Sequence, residues 1–353
     1  MQSLPKTLFI GWGVSVVSYY RAFLPAVALG ADYVAWIGDD KAREIQLLTG
    51  LGERPPTIAE LFDYDVLVIQ QPRGVRWMKL IRELQAAGVT VLYEIDDYVQ
   101  SARKIKSHEL TDIFDADFVR EMEMAMRVTD GIVCSTDYLA RRYRSFNDRT
   151  WACYNGIDLK RYSWPKPARE GVTIGWAGGV GHKASLARWE PAIRSVLRAR
   201  PETRFVSVGH GAAADYLEEF GPQRAIGLPP GKIEVYPAAM TVFDIAIAPS
   251  AENNLFRGKS DLRWLEASAL GLPLVAHPDV YPEISDGVTG VHARNPAEVE
   301  AALLRLVDDR ELRERIGAQA YAHVAEHRRI EVAAERWRSV LLEVGAERAA
   351  TIA

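Results

Sequence analysis

The sequence predicts two doubly wound α/β domains of comparable size, and three observations predict it. Short, unbroken apolar runs alternate with amphipathic stretches along almost the whole chain. The runs lack the every-other-residue polarity of a half-exposed sheet, which points to parallel strands covered on both faces. The rhythm then breaks at Asn155-Gly156-Ile157-Asp158, passes Pro165 and Pro167, and restarts. With 353 residues, the chain has room for two domains of the usual ~100–200 residues.

The elements follow in order. Thr7–Ile10 reads as a strand, Gly11-Trp12-Gly13 as a turn, and Ser18 to Leu29 as a helix. Strands are expected at Asp32–Ile37, Val66–Gln70, Val89–Ile95 and Gly131–Ser135, with helices at Val75 to Ala87 and Asp112 to Val128. After the break, strands are expected at Val172–Trp176, Arg204–Val208, Ile233–Val235, Ile245–Ala248 and Leu274–Ala276. Helices are expected at Leu186 to Arg200, Ser260 to Leu270, Pro296–Val307, Arg310–His327 and Glu331 to Val344. The expected division is residues 1–158, residues 159–330, and a C-terminal helix in 331–353 that packs back toward the first domain. In such sheets ligands bind beyond the carboxyl ends of the strands, so an interdomain cleft is the expected site.

Composition excludes several classes. A charge of −4 and a pI near 6.0 give no global basic field, which argues against nucleic acid without excluding it. Two cysteines, Cys134 and Cys153, make no disulfide framework and fit a reducing compartment. The apolar run Leu8 to Val17 holds two glycines, lacks a basic leader and runs into Ser18-Tyr19-Tyr20-Arg21, unlike a signal peptide. No segment reaches the ~20 apolar residues of a membrane span. A cytoplasmic protein is expected, with attachment to the inner membrane face left open by the basic runs Arg103-Lys104-Ile105-Lys106 and Arg141-Arg142-Tyr143-Arg144. The histidines are dispersed, His323 and His327 lack the glutamate of a zinc helix, and no Gly-x-Ser-x-Gly elbow occurs.

The informative stretch is KSDLRWLEASALGLPLVAHPDVYPEISDGVTG, Lys259 to Gly290. Leu262, Leu265, Ala269 and Leu270 form an apolar helical stripe that leaves Glu266 off it, and Gly271 and Pro273 turn the chain into the next strand. A carboxylate facing a cleft can accept hydrogen bonds from both hydroxyls of a ribose; a solvated helix residue is the competing reading. Lys259-Ser260 opens this helix, where free N–H groups favour anions. Gly178-Gly179-Val180-Gly181-His182-Lys183 is a glycine-rich turn after a strand, so its amides and Lys183 are candidates for phosphate. Asp96-Asp97 closes the strand VLYEI at the carboxyl edge of the first sheet, with Glu94 behind. Adjacent extended residues point opposite ways, which disfavours chelation of one metal and leaves contacts to sugar hydroxyls, or helix capping. Gly11-Trp12-Gly13 is a weak pointer to a nucleotide site by itself. Tyr20-Arg21 on the next helix faces acceptor or phosphate, or only helix packing for Tyr20 and solvent for Arg21.

LEASALGLPLVA followed by PEISDGVTG resembles the donor-site signature of GT-B glycosyltransferases, specifically the retaining family 4 group (glycosyl transferases group 1). CYNGIDLKRY is similar to that group's interdomain linker, FDIAIAPS to the strand before its donor helix, and GWGVSVVSYYRAFLPAVALG to its first loop and helix. The resemblance implies a GT-B fold, two Rossmann-like domains facing each other across a cleft. It implies transfer of a hexosyl-type sugar from a UDP- or GDP-sugar co-substrate to an acceptor hydroxyl, with retention and with neither cofactor nor metal. Glu266 would hold ribose, Lys259 and Lys183 phosphate, and Glu283 the edge of the donor pocket. Asp96, Asp97 and Lys259 would face the reaction; His182, Gly179, Gly13, Ser260 and Arg21 would line the nucleotide site. One departure stands out: eight residues before Glu266, where the group often carries a second glutamate, this chain has Gly258. The sugar is therefore not named, and the acceptor can be a glycan, a lipid-linked sugar, a protein or a small molecule. A nucleotide-sugar epimerase of related fold and an inactive nucleotide-binding protein are the alternatives.

Overall fold

The structure is a computed structural model that describes residues 3–13, 15–37, 46–48, 55–102, 115–179, 183–209, 215–229, 231–250 and 254–352. Its first sheet has seven strands in the order β3-β2-β1-β4-β5-β6-β7. These are β1 Thr7–Trp12, β2 Asp32–Ile37, β3 Gln46–Leu48, β4 Val66–Gln70, β5 Thr90–Ile95, β6 Gly131–Cys134 and β7 Thr150–Ala152. All pair in parallel except β3, which runs antiparallel on the outer edge of β2. The second sheet has six parallel strands in the order β10-β9-β8-β11-β12-β13. They are β8 Thr173–Gly178, β9 Arg204–Gly209, β10 Ala225–Leu228, β11 Ile245–Ala248, β12 Leu274–Ala276 and β13 Val291–His292. The fold is thus the predicted pair of doubly wound sheets.

Both sheets reverse their winding at one place, between β1 and β4 in the first and between β8 and β11 in the second. Such switch points open a crevice at the carboxyl ends of the two strands. Gly13 and Gln71 stand at the first; Gly178-Gly179 and Ser250 stand at the second. β4 and β11 are buried at every residue, as strands covered on both faces must be.

Four differences from the sequence reading have local causes. The stretch Ile233–Val235 is a turn, not a strand, because Tyr236-Pro237 begins a short helix directly behind it. The strands β7, β10 and β13 are only three, four and two residues long, too short to show a period. The helix expected at 18–29 begins at Val16 and carries a π turn, Tyr19–Phe23, before Leu24–Leu29 completes it. The last helix is longer than expected, Ile330–Ile352. Its Trp337, Val340, Leu341 and Val344 lie in one apolar cluster with Phe9, Val66, Leu92 and Val133 of the first sheet.

The chain crosses between the domains twice, and the crossings touch. Ile157 and Arg329 form a β-bridge. A Cβ on Gly156 would fall 2.7 Å from Ala333 and from Ile330, so glycine is what lets the linker lie on the last helix. Among the described residues, no helix is long and apolar enough to cross a membrane.

Candidate functional site

The helix Leu262–Ala269 is held at both flanks. Asp261 at its N-terminus is 5% exposed and ion-paired with Arg328, whose Nη2 donates to Oδ1 at 2.8 Å and also to the Asn155 carbonyl at 3.1 Å. The Trp264 indole donates to the Thr289 carbonyl at 2.8 Å, tying the helix to the loop 281–290. Gly271 has φ +65°, the left-handed turn that leads into β12.

Glu266 lies on this helix, 4% exposed, at the contact between domains. The Tyr20 hydroxyl of the first domain donates to its Oε1 at 3.0 Å, that of Tyr162 in the linker does so at 3.3 Å, and that of Tyr236 donates to Oε2 at 3.4 Å. Tyr20 and Tyr162 also bond each other at 2.8 Å. Burial pushes the carboxyl up to about 7, although the tyrosine bonds and the Arg263 charge pull it down. A carboxylate buried on apolar helices carries a desolvation cost of this sign, and three hydroxyl donors offset only part of it. Sequence reasoning found the glutamate but not its tyrosines, because Tyr162 and Tyr236 are far from it in the chain.

Opposite it, Lys259 forms an ion pair with Asp97 at 2.7 Å, one residue from each domain. Asp96 and Asp97 follow β5 as expected. Asp96 Oδ1 accepts from the Gln71 amide at 3.3 Å. Burial, then the neighbouring carboxylates of Asp97 and Glu94, push the Asp96 carboxyl well above the usual carboxylate range. Gln71 itself adopts φ 45°, rare for a residue with a side chain, at the switch point after β4. The sequence gives no sign of that strain.

The remaining candidates are spread. Arg21 is 1% exposed and sits inside the first domain, with Nε on Glu94 at 2.6 Å and Nη1 on the Cys153 carbonyl at 2.6 Å and Asn155 Oδ1 at 3.0 Å. Glu94 is bound in turn by Gln70, whose Oε1 accepts from the Trp12 amide at 2.9 Å and Ser18 Oγ at 2.8 Å. Gly13 has φ +66° and open space where a Cβ would stand. Gly179 also faces open space. Ser260 Oγ accepts from the Asn155 amide at 2.8 Å, again across the linker. Glu283 is exposed on the loop after β12, with Asp261 and Arg328 among its charged neighbours. His182 and the side chain of Lys183 lie outside the described residues, as does the basic run at 103–106.

Gly258 has a packing reason. A Cβ there would stand 3.0 Å from Tyr98 and 3.1 Å from Leu139, both in the first domain. The position eight before Glu266 is therefore closed against the partner domain and has no room for a glutamate side chain.

Residues 172–309 match the family model of the glycosyl transferases group 1. No curated protein sequence matches the chain. Among solved structures, TarM of Staphylococcus aureus, solved with UDP and α-GlcNAc-glycerol, is 16% identical with a TM-score of 0.59, covering 78% of this chain. This chain spans 55% of the TarM length. HepE of Anabaena, solved with UDP and glucose, is 14% identical with a TM-score of 0.65, covering 96% of this chain and 100% of its own. A Listeria monocytogenes protein described as a UDP-N-acetylglucosamine 2-epimerase is 13% identical with a TM-score of 0.57, covering 96% of each chain. The two sheets and these likenesses make the fold GT-B, and the second domain carries the likeness to group 1 glycosyltransferases.

Proposed function

We propose that this chain transfers a sugar from a UDP- or GDP-sugar to an acceptor hydroxyl, with retention, from a donor site on the second domain. The observation that carries the reading is Glu266: a carboxylate buried between two switch-point crevices, on the helix inside the segment that matches the glycosyltransferase family. Its present partners are hydroxyls, and a ribose offers hydroxyls in exchange, so the carboxylate needs no new kind of partner. Loss of the Tyr20 contact would open the path, because Tyr20 belongs to the first domain and Glu266 to the second.

Departure of the diphosphate develops negative charge, which fixed cations stabilise most where water is excluded. Lys259 is placed for this once it leaves Asp97, and Lys183 is the second candidate from the glycine-rich turn. Asp96, at the carboxyl edge of the first sheet, would bond a sugar or acceptor hydroxyl, and no side-chain nucleophile is required. Acceptor classes are a glycan, a lipid-linked sugar, a protein or a small molecule, in a cytoplasmic setting or at the inner membrane face.

The Listeria likeness keeps an epimerase as the second reading, since both activities use one fold. Incubation with labelled UDP- and GDP-sugars separates them: transfer or slow hydrolysis of one donor supports the first, interconversion of sugars the second. Nucleotide-dependent thermal stabilisation is expected in the native chain and lost in Glu266→Ala. Stabilisation that survives this substitution would sink the placement of the donor site.

A further inference from the structure

Gly178 at the end of β8 and the helix Leu262–Ala269 meet at a third cation that the pattern of the sequence did not single out. Arg263 lies three residues before Glu266, on the same side of that helix. Its guanidinium is pressed against the end of β8: a Cβ on Gly178 would fall 2.6 Å from Nη2. Only a glycine at 178 leaves the guanidinium its place. The ring of Trp176 crowds the same position, 2.8 Å from that Cβ, and lies 5.9 Å from the guanidinium carbon.

Charge accounting makes Arg263 unusual. Lys259 is paired with Asp97, Arg328 with Asp261 and Arg21 with Glu94. Among the described residues no carboxylate lies within ion-pair distance of Arg263, and its Nη1 is buried with no hydrogen-bond partner. A buried N–H of a charged group left without an acceptor costs a few kcal/mol, so such a group marks a place where an acceptor belongs. Ser250, at the end of β11, is 7% exposed and its hydroxyl also lacks a partner among the described residues. Gly178 and Ser250 flank the switch point of the second sheet, and the next residue, Gly179, faces open space.

We infer that Arg263 is a further cation, beside Lys259, that holds the diphosphate of the nucleotide, with the Ser250 hydroxyl at the mouth between β8 and β11. This rests on the proposed donor site and adds to it which residue takes the phosphates. Three residues, about 4.5 Å of helix rise, separate Arg263 from Glu266. A single nucleotide can therefore set its ribose on the carboxylate and its phosphates on the guanidinium. Arginine suits the task, because its planar fork binds phosphate oxygens in pairs.

The test is calorimetric titration of the full chain with UDP, GDP, uridine and guanosine. The native chain binds one diphosphate at least tenfold more tightly than its nucleoside. Arg263→Gln removes most of that advantage, weakening the diphosphate at least tenfold while nucleoside affinity stays within twofold. Arg263→Lys, which keeps the charge and loses the fork, restores part of it. Glu266→Gln is the contrast, weakening nucleoside and diphosphate together. Should Arg263→Gln fold poorly, Arg263→Lys carries the comparison. Unchanged diphosphate affinity in these variants, or equal loss of nucleoside and diphosphate, overturns the role of Arg263 and leaves the donor site standing. If the native chain binds no diphosphate at all, the donor site falls, and this role with it.

Discussion

Glu266 combines two properties that pull against each other: it is buried among apolar residues, and it keeps a carboxyl that three tyrosines address. Its carboxyl is raised by burial from the ordinary carboxylate range to about 7. A raised acid contributes stability that is fully present below its unfolded value, near pH 4.5, and that is lost as pH rises through about 7. The nucleotide-free protein should therefore lose stability between pH 5 and 8, by on the order of 3 kcal/mol from this group. Glu266→Gln keeps an acceptor for the tyrosines without the charge. It is expected to melt higher than the native chain at pH 8 and at the same temperature near pH 4.5. Equal melting temperatures at pH 8 would show that the carboxylate carries no such cost. A residue that destabilises the fold when ionised is tolerated where function uses it, which is why the same substitution should also abolish nucleoside binding.

The elements show where sequence reading succeeds and where it stops. Long periodic helices such as Val75–Ala86 and Arg310–His327 and buried strands such as β4 and β11 are legible, because one face or both must be apolar over many residues. Edge strands of two to four residues are not, since their partners and not their own residues define them. The π turn Tyr19–Phe23 is also invisible in sequence, yet it is what presents Tyr20 to Glu266 and Arg21 to Glu94 from neighbouring positions. The candidate site divides likewise: the sequence set Glu266 on its helix and Asp96-Asp97 after their strand, and the resemblance supplied their proposed roles. Tyr162, Tyr236, Gln71 and Arg263 were not legible, because each acts through a contact between distant segments. The last helix belongs to the readable kind. Trp337 is 1% exposed, edge-on to Phe9 at 5.3 Å and under the Arg21 guanidinium. Trp337→Ala should cost about 3–5 kcal/mol of stability, and the exposed Glu331→Ala on the same helix under about 0.5 kcal/mol, by urea unfolding. A small effect at Trp337 would mean that the helix only rests on the first domain and does not complete its core.

At the scale of the whole molecule, several of the contacts between the two domains fall at the proposed donor site. Lys259 meets Asp97, Tyr20 meets Glu266, Asn155 meets Ser260, and Gly258 packs on Tyr98 and Leu139. Closing the cleft and occupying the site thus draw on the same groups, so a change in one domain should be felt as affinity in the other. The Lys259–Asp97 pair is the sharpest case, with both side chains about a fifth exposed and therefore only partly screened. In the proposed role Lys259 must choose between Asp97 and the leaving diphosphate. Asp97→Asn, on the first domain, should then tighten diphosphate binding roughly three- to tenfold, a coupling of about 0.5–1.5 kcal/mol. Lys259→Gln should weaken it, and Asp97→Asn should have no further effect in the Lys259→Gln background. The double-mutant cycle distinguishes competition from support. If Asp97→Asn instead weakens binding in the native background, the aspartate holds Lys259 in position for the phosphate and the two domains close together on the donor.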